Sequence, residues 1–305
     1  MTITTTVAPT LAERPSVVTG RSNAWTAYLF LAPFLLVYLV FLVYPLFKGF
    51  WISLHDWELV GGYREYIGFL NYEDLWYDPL FWRTVRNTLT FVVLTVPAMT
   101  VLSLALALGV NQGTRIHGVL RGIFFASSVF SVSVVTLVWQ MVLNGDRGLI
   151  AHFLRSLGMA PIDFLGHSFW AMPSLVVTTL WWAVGLPMAL FLAGLQQIPG
   201  ELYEAAELDN ASRWTVLTKI TLPAIRRTVM LVVVLQIVLQ FQVFGQALLM
   251  TQGGPGDRTR TLVQYIYHTA FRDWQVGYAS AMALLLFALM FLASMLQLYI
   301  GRRED

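Results

Sequence analysis

Apolar and polar positions along this chain come in long blocks rather than alternating. Six stretches contain no Asp, Glu, Lys or Arg: 25–47, 87–110, 123–143, 171–197, 228–250 and 276–300. Each runs 21 to 27 residues, and a helix needs about 20 to cross the hydrocarbon of a bilayer. A charged side chain at the bilayer centre costs roughly 2.5–3.5 kcal/mol on insertion scales, so charge-free runs of this length predict spanning helices. The expected fold class is all-α: a polytopic membrane protein of six transmembrane helices with both termini on one side.

Composition agrees with the blocks. The 305 residues are 57% hydrophobic and 12% charged, where a soluble domain carries about 25% charged residues. Mean hydropathy is +0.65. If the N-terminus is inside, internal segments hold 10 Lys and Arg in 71 residues against 9 in 91 outside. That bias is small but has the sign of the positive-inside rule, so both termini are expected to be cytoplasmic. Residues 1–24, polar and rich in Thr, Val and Pro, read as a flexible cytoplasmic tail. The domain proper is expected over 25–300, with 301–305 a second short cytoplasmic tail. The outer loops 48–86, 144–170 and 251–275 carry aromatic residues at their edges, as membrane interfaces do. The first of them is expected to fold back as short interfacial helices.

Little points to chemistry on the chain itself. There is no cysteine, hence no disulfide and no thiolate metal site. Histidines 55, 117, 152, 167 and 268 have no ligand spacing, so no metal site is expected. The phosphate loop Gly-x4-Gly-Lys-Ser/Thr is missing, so the chain is not expected to be an enzyme or to hydrolyse nucleotide by that route.

The segment that lipid does not explain is 198–227. Pro199-Gly200 ends the fourth apolar run. Glu201, Glu204 and Glu207 then recur every third residue on one helical face, with Leu202, Ala205, Ala206 and Leu208 at the smaller and apolar positions. Asp209-Asn210 is expected to break this helix, because asparagine tolerates the left-handed backbone. Asn210 or Ser212 caps a second helix from Arg213 to about Thr221, which Pro223 stops. A solvated connector and a docking element both fit that composition.

The residue pattern favours docking. Glu204, Ala205, Ala206, Asp209, Asn210, Ile220, Leu222 and Pro223 resemble the Glu-Ala-Ala loop in membrane subunits of bacterial binding-protein-dependent ABC importers, with Asn210 where that family usually has glycine. Further pieces resemble the carbohydrate branch, of the maltose/glycerol-phosphate type and the first-subunit kind. Near the second span these are Gly68, Asn71, Tyr72, Asp78, Pro79, Phe81, Trp82, Asn87 and Thr88. Later come the turn Gly253-Gly254-Pro255 and the run Gly277-Tyr278-Ala279-Ser280-Ala281. The resemblance implies a type I importer permease of the bacterial cytoplasmic membrane, working as a heterodimer with a second permease subunit. It also implies two ATPase subunits, which hold the ATP and magnesium while this chain binds no cofactor, and an extracytoplasmic solute-binding protein. Membrane lipid surrounds the chain, and no nucleic acid is involved. Gly253, Gly254 and Pro255 become candidate contacts for the binding protein.

Two features place polarity or irregularity inside the apolar runs. Gly185-Leu186-Pro187 interrupts the fourth, as a simple kink or as backbone lining a cavity. In the fifth, Gln236 and Gln240 share one face, while Gln242 and Gln246 fall about 200° from Gln240 on a continuous helix. On that geometry the two pairs cannot point the same way. Interhelical packing and substrate contact both suit glutamines in lipid. By the resemblance, the substrate pathway runs past Val184, Gly185, Met188, Gln236, Leu239, Gln240 and Val243. Amides suit neutral hydroxyls, and no Arg or Lys lies in any span to pair a phosphate. That favours a sugar over glycerol-3-phosphate or another solute. An ion-coupled carrier, the other class of transporter, usually places ionisable residues in its spans.

Overall fold

The computed structural model describes residues 24–62 and 64–302; the expected tails lie outside these residues except at Ala24 and Gly301–Arg302. The chain is mainly helical. Among the described residues three helices are long and apolar enough to cross a membrane: Tyr28–Ser53, Pro79–Val110 and Val276–Tyr299. Three more candidates are pairs bent at a short break: Arg115–Val129 with Val132–Leu143 (100°), Ala171–Ala183 with Gly185–Leu195 (52°), and Arg213–Ala224 with Arg226–Phe241 (70°). The described residues up to Lys48 form one compact unit and those from Gly49 a second. The first consists of an apolar helix with a π-helical turn at Leu39–Val43.

The second unit is built around Pro79–Val110, which is longer than the charge-free run 87–110 predicts. Asp78 explains the extension. Its side chain accepts from the Leu80 N–H at 2.8 Å, and Pro79 sits at the first helical position, where a missing N–H costs nothing. Three apolar clusters share this helix. Phe81, Val85, Val92 and Val96 pack with Phe241, Leu262 and Met282. Phe91 packs with Leu143, Leu175, Val243 and Met250, and Ala107 and Val110 pack with Met188, Phe191, Leu195 and Val232. Thr84, Thr88 and Ser103, buried on the same helix, donate to carbonyls three or four residues back, so no hydroxyl among them is orphaned.

The fold is not purely α. Between Ser53 and Leu70 the chain forms a two-stranded antiparallel hairpin, His55–Trp57 against Arg64–Tyr66, where interfacial helices were expected. Among the described residues of this loop, the one helix between the hairpin and Asp78 is Leu70–Tyr77. The physical reason is the turn: Gly61 and Gly62 take φ of +108° and +70°, which reverses the chain and brings two aromatic-flanked triplets into register. Asn71, buried, then donates to the carbonyls of Ser53 and His55 at 2.8 and 3.1 Å. Gly277 lies so close to the His55 carbonyl that a Cβ there would overlap it, which fixes a glycine at the entry to the last helix.

Candidate functional site

The 198–227 segment folds as a helix, a turn and a second helix. The first helix is Gly200–Leu208. It ends in a Schellman motif: Asn210 adopts φ +51°, its N–H bonds Glu207 O at 3.0 Å, and the Ala211 N–H bonds Ala206 O at 2.9 Å. Asparagine thus takes the left-handed position that glycine usually fills. Ser212 caps the second helix by accepting from the Thr215 N–H at 3.2 Å. That helix runs on to Ala224 rather than stopping before Pro223, because a π-helical turn at Leu217–Thr221 places the proline where no ladder bond is needed. Tyr203 and Thr221 hydroxyls, 3.2 Å apart, tie the two short helices together.

Burial divides the loop into an inner and an outer face. Ala206 is buried, Leu222 packs partly against the Ile225 cluster and Ile220 is half-buried. Glu204, Ala205, Asp209, Asn210 and Pro223 are exposed, as are Glu201 and Glu207. Leu208 and Trp214 are 85% and 72% exposed, so apolar and acidic groups face away from the body together.

A second feature is a cavity of about 430 Å³ where the broken helices meet. The break between Val129 and Val132 is held by serines. Ser127 and Ser128 both donate to the Trp182 carbonyl at 3.2 Å, and the Trp182 indole N–H returns a bond to Phe130 O at 2.9 Å. Gly185 permits this approach: a Cβ there would come within 2.9 Å of the Phe124 carbonyl and of Phe125 Cα. The interruption at Gly185-Leu186-Pro187 is therefore a bend packed against a neighbouring break, with Leu186 and Pro187 on the cavity wall.

All four glutamines line this one cavity. The helical wheel separated Gln236 and Gln240 from Gln242 and Gln246 because it assumed a helix through residue 250. The helix in fact ends at Phe241, and the chain runs irregularly through 242–244 before turning helical again. The Val243 carbonyl, freed by that break, accepts from the Thr261 hydroxyl at 2.8 Å. Within the cavity Gln240 Nε2 donates to Gln236 Oε1 at 2.9 Å, and Gln246 Nε2 to Thr179 Oγ1 at 3.4 Å. Among the described residues no charged side chain lines it. Of the residues named from sequence, Gln236, Leu239, Gln240 and Val243 lie on the wall. Val184, Gly185 and Met188 are buried beside it, Met188 in the cluster with Phe191 and Val232. Sequence reasoning missed Ser128, Val132, Thr179 and Trp182. The run Ser127-Ser128-Val129-Phe130-Ser131, polar in an apolar stretch, was the available signal.

The other motif residues brace the Asp78 end of the bundle. Asp78 Oδ2 accepts from Tyr265 and Tyr278 hydroxyls at 2.7 and 3.0 Å. Burial, and then the hydrogen bond to the Asp78 carboxylate, push the Tyr265 phenol well above its ordinary range, so it remains a donor at physiological pH. Asn87 donates to Asp257 O and Arg260 O at 2.6 and 3.0 Å, and Thr88 accepts from the Leu262 N–H. These bonds pin the 253–260 turn, whose hub is Gly253: it is buried, has φ +86°, and its carbonyl accepts from the Thr259 N–H. Gly254 and Pro255 are half-buried, and the exposed tips are Gly256 and Arg258.

Residues 99–305 match the model of the family described as binding-protein-dependent transport system inner membrane component. The chain is 31% identical to the trehalose/maltose transport system permease protein of Thermococcus litoralis, over 93% of this chain and 96% of that one. It is also 31% identical to the sulfoquinovosyl glycerol transport system permease protein of Agrobacterium fabrum, over 92% and 91%. The fold matches a chain of a bacterial alginate ABC transporter, crystallised with an alginate-bound periplasmic protein, at TM-score 0.81 and 24% identity, covering 92% and 94%.

Proposed function

Because this chain belongs to the family of inner membrane components of binding-protein-dependent transport systems, we propose that it is one of two permease subunits of an ATP-driven importer that carries a neutral sugar. The single observation that carries the substrate class is the cavity: four amides with the hydroxyls of Thr179 and Ser128, the apolar face of Trp182, and no charge. Each amide offers both donors and an acceptor, which matches a polyol rather than an ion. A phosphate ester would call for Arg or Lys on that wall, and an ion-coupled carrier for an ionisable side chain. The trehalose/maltose transport named for one relative supports the same class.

In this reading the three long helices and three bent pairs mark six spans, the Arg213–Ala224 arm of the third pair lying in the 198–227 loop, with both termini cytoplasmic. The 198–227 loop then lies inside and the 253–260 turn outside. A second permease subunit completes the pathway, and two ATPase subunits, holding ATP and magnesium, seat the 198–227 loops. Closure of the ATPases drags the Gly200–Leu208 helix, and the spans tilt to switch access from outside to inside. An extracytoplasmic binding protein delivers the sugar, with the Gly253–Pro255 turn as its contact. Affinity purification of the full-length chain from membranes is expected to recover an ATPase and a second permease in near-equal amounts. Recovery of the intact chain with no ATPase would overturn the proposal.

A further inference from the structure

Two cavities meet on the Pro79–Val110 helix, away from the glutamine cavity. One, of about 410 Å³, is bounded by Arg83, Arg86, Arg258 and Ser168 and has no acidic side chain on its wall. The other, of about 440 Å³, is an apolar groove along Val85, Leu89, Val93 and Leu94. They share Arg86 and Thr90, so the groove opens directly from the basic cleft.

The cleft's charge is only partly neutralised from within. Asp257 is engaged by Arg260 at 3.0 Å and reaches Arg83 only at 3.9 Å. Among the described residues no carboxylate pairs with Arg86 or Arg258, both of which are exposed. Positive charge of this kind favours an anionic ligand over a neutral or cationic one.

Depth sets the other half of the ligand. Trp82, one turn above Arg86, stacks edge-on to Trp76 at 5.1 Å and donates to its carbonyl, an aromatic pair of the kind found at headgroup level. From Arg86 to Leu94 the helix descends about 12 Å, against a half-bilayer of roughly 15 Å of hydrocarbon. A free anion would leave that groove empty, and a peptide would bury unpaired backbone groups in it.

We propose that the Arg83–Arg86–Arg258 cleft and the groove below it bind one anionic phospholipid, headgroup among the arginines and acyl chain along Val85–Leu94. The proposal rests on the helix crossing the bilayer and not on the identity of the transported solute. The test is native mass spectrometry of the full-length chain with phosphatidylglycerol or phosphatidylcholine of identical acyl chains. Wild type is expected to retain phosphatidylglycerol preferentially. Arg83→Gln, Arg86→Gln and Arg258→Gln should each lower that retention about fivefold, with little change for phosphatidylcholine. Arginine-to-lysine variants should keep the preference, which separates charge from misfolding. Val93→Trp should fill the groove and weaken both lipids. Equal retention of the two headgroups by wild type would overturn the proposal. So would a phosphatidylglycerol preference indifferent to the glutamine variants, or one untouched by Val93→Trp, which would mark a site for small anions. Arginine variants that lose capture of a solute-binding protein but keep their lipid would assign the cleft to a protein instead.

Discussion

Glu204→Ala is expected to reduce ATP-driven uptake roughly tenfold or more, the scale of a charged anchor lost from an interface, while the subunit still inserts and accumulates. Exposure makes this result diagnostic. Glu204 is exposed, and neither a side-chain hydrogen bond nor an ion pair of its own is found among the described residues. Removing such a carboxylate from a surface helix changes folding stability within about 0.5 kcal/mol. A large loss of uptake must then arise where the loop meets another chain. The measurement is uptake per assembled transporter, with the amount of co-purified ATPase as a second readout. Undiminished uptake would make the loop a connector.

The double substitution Gln236→Ala with Gln240→Ala is expected to lower uptake by about tenfold to a hundredfold, as several hydrogen bonds to the solute at roughly 0.5–1.5 kcal/mol apiece would imply. The two amides satisfy one another at 2.9 Å. Removing both therefore leaves no orphaned partner, and assembly should survive. Gln236→Ala alone strands the Gln240 amide and should cost more stability than the pair. Uptake at saturating and limiting solute, compared with the yield of intact complex, separates the cases. Loss of assembly with unchanged transport per complex would mean that the amides serve packing.

Much of this molecule was legible because lipid imposes a simple rule on composition. Charge-free runs located the hydrophobic segments, and the Asp209-Asn210 turn followed from local backbone preference alone. What escaped were features held by distant partners. The break at 242–244 has no glycine or proline before Gly245; it persists because Thr261, eighteen residues on, takes the freed Val243 carbonyl. No local pattern encodes that bond, so a wheel drawn through residue 250 sent two glutamines the wrong way. Likewise Ser127 and Ser128 read as small polar residues until Trp182, more than fifty residues away, supplies the carbonyl they bond. Two signals were local and usable: the Asp78-Pro79 cap that extends the second hydrophobic helix, and the Gly61-Gly62 turn that makes a hairpin.

The motif that carries the family resemblance at the Asp78 end proves to be bracing rather than recognition. Asn71, Asp78, Asn87 and Thr88 spend their hydrogen bonds on backbone and tyrosine partners within the chain. In the proposed function, recognition of a solute falls instead to the glutamine cavity, where the polar groups bond one another and can exchange those partners for a ligand.

The absence of cysteine from the chain makes the central claim directly measurable. Leu239 lies on the cavity wall and is 51% exposed, so Leu239→Cys places a single thiol there. In the assembled transporter, a membrane-impermeant thiol reagent applied from the ATPase side is expected to label this cysteine without nucleotide. Labelling should slow at least about tenfold when ATP holds the ATPases closed, since access then turns to the opposite side. Equal labelling rates in the two states would contradict a cavity whose access is driven by ATP.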